Sequence, residues 1–324
     1  MSRRARVVAV VSACSAAAAG IAVGGALLQG GDGSAAPREE RTAEPPPLEL
    51  AVLPGEPHAA ALREGEAAYD EGRRADAAAA FERVLAEDPG LLEASVGAAL
   101  ASWPEGTVAE LERLADEEPD SALVHLHLGL ARIAAGDVEA AREAWRLAVE
   151  RDPDTQAAVQ ADSLLHPDIA PGLPVFLPSR PLPEQVRRLR PLEQVEALRE
   201  RASGGAATDS LLLGSLLQRL GRPVSARIAF DRAAVAHPQS LEAQVAAAVG
   251  RFDKDDPSQA FSRLGPLSRE HPRAAVVRFH LGLMLLWIRG VDEAERQLTK
   301  AIQGEPGTVY AREARKLLTT LAQS

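Results

Sequence analysis

Apolar residues recur along most of this chain at helical spacing, and the spacing itself repeats. Pro238, Pro272 and Pro306 stand 34 residues apart, Pro119 and Pro153 are separated by the same interval, and Pro89 lies 30 residues before Pro119. Aligned on these prolines, other columns fall into place. Twelve residues before stand Ala77, Ala141, Ala226, Ala260 and Ala294; eight before stand Phe81, Trp145, Phe230, Leu264 and Leu298; five before stand Val84, Ala148, Ala233, Leu267 and Ala301. That i, i+4, i+7 pattern is one face of a helix. Twenty-four residues before lies a second column of small residues, Gly65, Gly129, Gly214, Ala248 and Gly282. Small residues there let two antiparallel helices approach closely, and the aromatic or Leu fills the space toward the next pair. Gly72, Gly136 and Gly221 are placed to end the first helix of their units in a left-handed conformation. The repeat prolines are placed to open the following helix, where a missing N–H costs nothing.

The columns resemble the tetratricopeptide repeat family. Its pattern is carried best by Leu128-Gly129, Gly136-Asp137, Ala141, Trp145, Ala148 and Pro153, and by Leu213-Gly214, Gly221, Ala226, Phe230, Ala233 and Pro238. The resemblance covers most of residues 58–324. It implies an all-α fold, a right-handed solenoid of antiparallel helix pairs in which each pair buries its apolar face against the next. Clear units occupy 58–91, 122–155, 207–240, 241–274 and 275–308. Residues 92–121 form a shortened unit interrupted by Trp103-Pro104-Glu105-Gly106, and 309–322 suit a capping helix.

The period breaks between Pro153 and Pro238. Helical patterns at 155–165 and 192–202 flank a Pro-rich insertion, 167–183. The simplest account is one unit split by an insertion in its inter-helix turn; two separate solenoid blocks are the alternative. The insertion's Pro171-Gly172-Leu173-Pro174-Val175-Phe176-Leu177-Pro178 is apolar and extended, and is expected to dock on the solenoid rather than stand in water.

The N-terminus reads differently. Arg3, Arg4 and Arg6 precede an uncharged stretch from Val7 to Leu28. At about 1.5 Å per residue such a helix spans a hydrocarbon core of about 30 Å. Residues 1–28 are therefore expected to be a basic cytoplasmic tip and a transmembrane signal anchor in a bacterial cell membrane, single-pass, with the repeats extracytoplasmic. A cleaved signal, leaving a secreted protein, is the alternative. Val11-Ser12-Ala13-Cys14 resembles a lipobox, but the apolar run continues beyond Cys14, as it would for a small residue inside an anchor helix. Residues 29–57, rich in Gly and then Pro, read as a flexible linker.

Composition narrows the function. Hydrophobic residues make up 46% of the 324, aromatics only 3%, and asparagine is absent, which favours closely packed helices over β architectures. A single cysteine precludes an intramolecular disulfide within the chain. The net charge of −10 argues against nucleic acid as a partner. It hides an asymmetry: residues 58–166 carry 23 acidic and nine basic residues, and residues 184–324 carry 16 acidic and 21 basic. Arg187, Arg188, Arg190, Arg199 and Arg201 make the densest basic cluster. No catalytic, metal or cofactor set is read. His125 and His127 are two apart, unlike a zinc pair at i, i+4, while His127 and His280 are repeat equivalents, as are His237 and His271.

The family resemblance implies instead that a protein or peptide binds the concave face formed by the first helix of each pair. Carried onto this chain, that face comprises Leu123, Leu126, Leu130 and Ile133, then Leu211, Ser215, Gln218 and Arg219, and Val276, Phe279, Leu283, Leu286 and Trp287. Some of these are core positions in any such pair. The expected function is a membrane-anchored adaptor for another envelope protein; the alternative is a self-associating envelope protein, a homo-oligomer, with the insertion filling its groove.

Overall fold

The computed structural model describes residues 44–323, and the expected anchor at 1–28 lies outside the described residues. Among the described residues the regular structure is entirely helical, in two compact units, residues 44–165 and 166–323. No helix among them is long and apolar enough to cross a membrane.

The N-terminal block contains α1 (Ala59–Asp70), α2 (Arg74–Glu87), α3 (Leu92–Ala101), α4 (Thr107–Glu117), α5 (Ala122–Ala134), α6 (Val138–Arg151) and α7 (Gln156–Leu165). The C-terminal block contains α8 (Glu184–Arg187), α9 (Pro191–Ser203), α10 (Ala207–Arg219), α11 (Pro223–Ala236), α12 (Leu241–Val249), α13 (Ser258–Glu270), α14 (Ala275–Trp287), α15 (Val291–Gly304) and α16 (Val309–Gln323). Helices α7 and α9 therefore belong to different units.

The repeat columns form the cores. Ala77, Phe81 and Val84 are buried, as are Ala141, Trp145 and Ala148, and Ala226, Phe230 and Ala233. Trp145 lies so close to Gly129 that a Cβ there would stand 2.2 Å from the indole Nε1; the Phe81 ring is wedged between Gly65 and Gly97, 2.6 Å from a Cβ at either. Only glycine allows such approach, so helix spacing and the aromatic column are one device. The indole N–H is satisfied by the Leu126 carbonyl at 3.2 Å.

The turns correct one expectation. Repeat prolines 89, 119, 153, 238, 272 and 306 each lie three residues ahead of the next helix, just past the end of the previous one. They stop a helix rather than open one. The prolines that do occupy a first turn are Pro191 and Pro223. Gly72, Gly136 and Gly221 have φ of +75°, +90° and +68°, as the sequence requires. The equivalent position of the 275–308 unit is Arg289, held at φ +60°.

The basic cluster is also different in space. Arg187 and Arg188 pair with Glu184, Arg190 with Glu193, Arg199 with Glu196, and Arg201 with Asp209. Most of these pairs are one helical turn apart and solvent-exposed, so each is worth little individually. Every arginine of the cluster thus has an acidic partner.

Candidate functional site

In each block an extended segment runs across the face made by the first helices. The second strap is the insertion. Its residues alternate: Ala170, Gly172, Pro174, Phe176 and Pro178 are buried, and Pro171, Leu173, Val175 and Leu177 are half-buried. This period of two is that of an extended chain. Phe176 is fully buried. Its ring stacks on His280, with centroids 4.8 Å apart, and meets Phe230 edge-on at 5.4 Å. The main chain of the strap is held largely by side chains. Gln218 donates to the Pro174 carbonyl at 3.2 Å and accepts from the Phe176 N–H at 2.8 Å. Ser215 donates to the Phe176 carbonyl at 2.9 Å. The Trp287 indole donates to the Gly172 carbonyl at 3.2 Å, and the Ala170 N–H donates to the Trp287 carbonyl at 2.9 Å. Glu242 accepts from Ser179 N–H at 2.6 Å and Oγ at 2.9 Å, and from the Tyr310 hydroxyl at 3.0 Å.

The first strap was unexpected. Residues 44–54 end the stretch that composition reads as linker, yet Leu48 and Leu50 are only 3% and 4% exposed. Pro46, Leu48 and Leu50 point inward, with Pro47 and Glu49 half-buried between them. The Tyr69 hydroxyl donates to the Pro46 carbonyl at 2.6 Å. The Leu50 N–H donates to Glu66 at 3.1 Å, and the Gln160 amide donates to the Glu49 carboxylate. The linker reading is thus corrected for these residues: alternating apolar side chains have a face to bury against.

The two straps share one register. His127 and His280, each 26 residues before its repeat proline, are buried. Each Nδ1 donates to the carbonyl four residues earlier, Leu123 at 2.8 Å and Val276 at 2.7 Å. That leaves Nε2 as an acceptor. His127 takes the Glu49 N–H at 3.2 Å, and His280 takes the Leu177 N–H at 3.0 Å. Burial pushes both imidazoles down to about 4, so both are neutral at pH 7. Counting from those N–H donors, Leu48 matches Phe176 and Pro46 matches Pro174. The side chains on the two proline carbonyls, Tyr69 and Gln218, are themselves repeat equivalents, 20 residues before Pro89 and Pro238. So are Glu66 and Ser215, 23 residues before.

The electrostatics differ. Glu49 is raised to about 7 by burial, with Glu66 and Asp70 adding like charge. Burial also raises Glu66 and Asp70. The second strap instead faces Glu242, which holds Ser179, and Arg219, whose guanidinium is pushed down by burial.

The structure distributes the sequence-predicted site residues unevenly. Gln218 and Trp287 bond the strap directly, and Arg219 reaches it through Ser215, to whose Oγ it donates at 3.0 Å. Leu126, Leu130, Leu211, Val276, Phe279, Leu283 and Leu286 are core, and Leu123 is half-buried among them. Being buried, they do not form an open groove surface. Sequence reasoning missed Glu49, Glu66, Tyr69, His127 and His280. The available signal was the shared Pro-x-apolar pattern of the two segments, at positions 46–48 and 174–176.

A tetratricopeptide repeat family model matches residues 62–110 and 105–155. Among curated proteins none matches the chain significantly. Solved structures that resemble it include a tetratricopeptide repeat protein from Parabacteroides merdae, at 12% identity and a TM-score of 0.34 over 82% of this chain and 98% of that one. The yeast Tom70 structure follows at 13% identity and 0.30, over 82% and 65%. A human IFIT1 dimer with m7Gppp-AAAA has 17% identity and 0.33, over 82% and 63%. At these values the likenesses carry no argument about function. Residues 62–155 carry tetratricopeptide repeats, and the regular structure of the described residues is entirely helical.

Proposed function

We propose that this chain is a scaffold that holds another protein of the bacterial envelope, tethered by residues 1–28 with its repeats outside the cytoplasm. Proteins with tetratricopeptide repeats generally mediate protein–protein interaction. The observation that carries the reading is the pair of straps: in both blocks, side chains at repeat-equivalent positions hold an extended polypeptide along the first-helix face. A face that takes its own extended segment in a fixed register has the chemistry to take another. The tether rests on Arg3, Arg4 and Arg6 before the uncharged stretch 7–28.

The same straps favour a second reading, self-association with both faces filled. Co-purification of the tagged full chain from detergent-solubilised envelope separates the two. The control is Val175→Glu, which changes a half-buried position between the buried Pro174 and Phe176 of the second strap. A different protein captured by the wild type and lost with the variant supports the scaffold. Capture of the chain's own copies alone, with a mass that rises with concentration, sinks it in favour of self-association.

A further inference from the structure

The first strap fits its own site poorly in one respect. Glu49 is placed by the His127 hydrogen bond to its main chain, and its side chain then faces Glu66 and Asp70. Of the cations nearby, Arg63 partly offsets the rise of Glu66 while donating to the Val52 carbonyl at 3.1 Å, and Arg74 donates to the Trp103 carbonyl. The only side-chain bond described for the Glu49 carboxylate is with the neutral Gln160 amide. Everything else about the seat is selective: Pro46 under Tyr69, Leu48 and Leu50 buried, the Glu49 N–H on His127.

This strap is also the one built to leave. The second strap joins helices at both ends, at α7 and α8. Residues 44–53 lead into α1. That junction passes through two non-glycine residues in the left-handed region, Ala51 at φ +54° and His58 at φ +58°, a conformation that a Cβ makes costly. The strap is held by side-chain bonds and by Pro46, Leu48, Leu50 and Val52, all of which an incoming extended segment of the same pattern can replace.

We propose that the N-terminal block is a receptor for an extended partner segment of the pattern Pro-x-Leu-(Lys or Arg)-Leu, which displaces residues 44–53 and places its cation where Glu49 stands. This names the partner class for the scaffold reading and rests on it. The cation meets Glu66 and Asp70, and like-charge crowding becomes charge pairing. Residues 44–53 are then an internal, deliberately weaker occupant, present at high effective concentration.

The test uses the full chain and two fluorescent peptides, residues 44–53 as they stand and the same peptide with Glu49→Lys. Fluorescence anisotropy is read on the wild type and on Leu48→Ser, which loosens the resident strap. The Lys peptide is expected to bind Leu48→Ser at least about 10-fold tighter than the Glu peptide, equivalent to about 1.4 kcal/mol. It should bind the wild type more weakly than the loosened chain. Glu66→Gln should narrow the gap between the peptides. Equal binding of the two peptides, or none to a Leu48→Ser chain that keeps its helical circular dichroism, overturns the proposal. If Leu48→Ser does not fold, hydrogen exchange on the full-chain Glu49→Lys variant decides instead: the Leu50 N–H should exchange about 10-fold more slowly than in the wild type, and unchanged or faster exchange overturns it. Capture of an envelope partner alongside failed peptide binding would discard this inference and leave the scaffold standing.

Discussion

The two straps are the same device in different chemical surroundings. Both lay a Pro-x-apolar segment over the first helices, and both hand a main-chain N–H to a buried neutral histidine at the same repeat position. The second is seated by an aromatic ring stacked between rings. The first is seated by two leucines and carries a carboxyl group into an acidic neighbourhood. Register is thus set by the repeat, and permanence by what fills it. Both straps enter the core of their blocks, Phe176 in one and Leu48 and Leu50 in the other.

Truncation should separate them most. Phe176→Ala empties a fully buried aromatic site and is expected to cost about 3–5 kcal/mol. Leu48→Ala should cost less, toward the lower end of the usual 2–5 kcal/mol for a buried Leu. Thermal unfolding of both variants reads the difference, and a Leu48→Ala chain that melts below Phe176→Ala would break the comparison.

Acid titration should separate them next. The folded-state value of His280 is lowered from 6.5 to about 4. The open state therefore binds more protons in that window, and stability is present above 6.5 and lost as pH falls toward 4. The groups packed on His280 are the rings of Phe176, Phe279 and Tyr310, the last bonded to Glu242. Protection of the Leu177 N–H should rise about 10-fold per pH unit across the window, or about 1.4 kcal/mol. His127 has the same sign. Glu49 has the opposite one: raised from 4.5 to about 7, its contribution is present below 4.5 and lost as pH rises through 7. Glu66 and Asp70 are shifted in the same direction. The first strap should therefore show a nearly flat or falling profile at the Leu50 N–H. Glu49→Gln should restore part of the rising one. Hydrogen exchange corrected for intrinsic rates reads both, and parallel profiles for the two wild-type straps would refute the assignment.

Smaller effects sharpen the picture. Tyr69→Phe removes the donor to the Pro46 carbonyl and should weaken strap seating by about 1 kcal/mol, visible as faster exchange at Leu50 with little change at Leu177. Arg289→Gly relieves a left-handed residue but gives up the guanidinium bond to the Pro167 carbonyl at 2.7 Å. The two oppose, so stability should move by less than about 1 kcal/mol. A larger loss would mean that the tether at Pro167 dominates.

The helices were legible because their signal is periodic and cumulative: Ala77, Phe81 and Val84 recur as Ala141, Trp145 and Ala148, and every copy strengthens the frame. The straps were not. Five alternating residues bracketed by prolines have the same composition as a linker, and nothing local distinguishes Pro46–Leu50 from a solvated stalk until a face exists to receive it. The histidines were legible as repeat equivalents, but their role was not, since an acceptor is recognised only when its donor is placed. Phe279 and Leu283 illustrate the converse. Spacing put them on a first helix, and it could not say whether that side faced the strap or the next helix. The basic cluster failed for a simpler reason: one-turn partners such as Glu184 and Glu193 are visible in sequence, yet a charge tally does not pair them.

One of the bonds to the second strap has an optical consequence. The Trp287 indole N–H donates to a carbonyl of the second strap, that of Gly172, while the Trp145 indole donates within its own helix pair. Departure of the second strap would hydrate the Trp287 ring and shift its emission to longer wavelength. Trp287 is therefore an intrinsic fluorophore that reports the opening of the second latch without an attached dye.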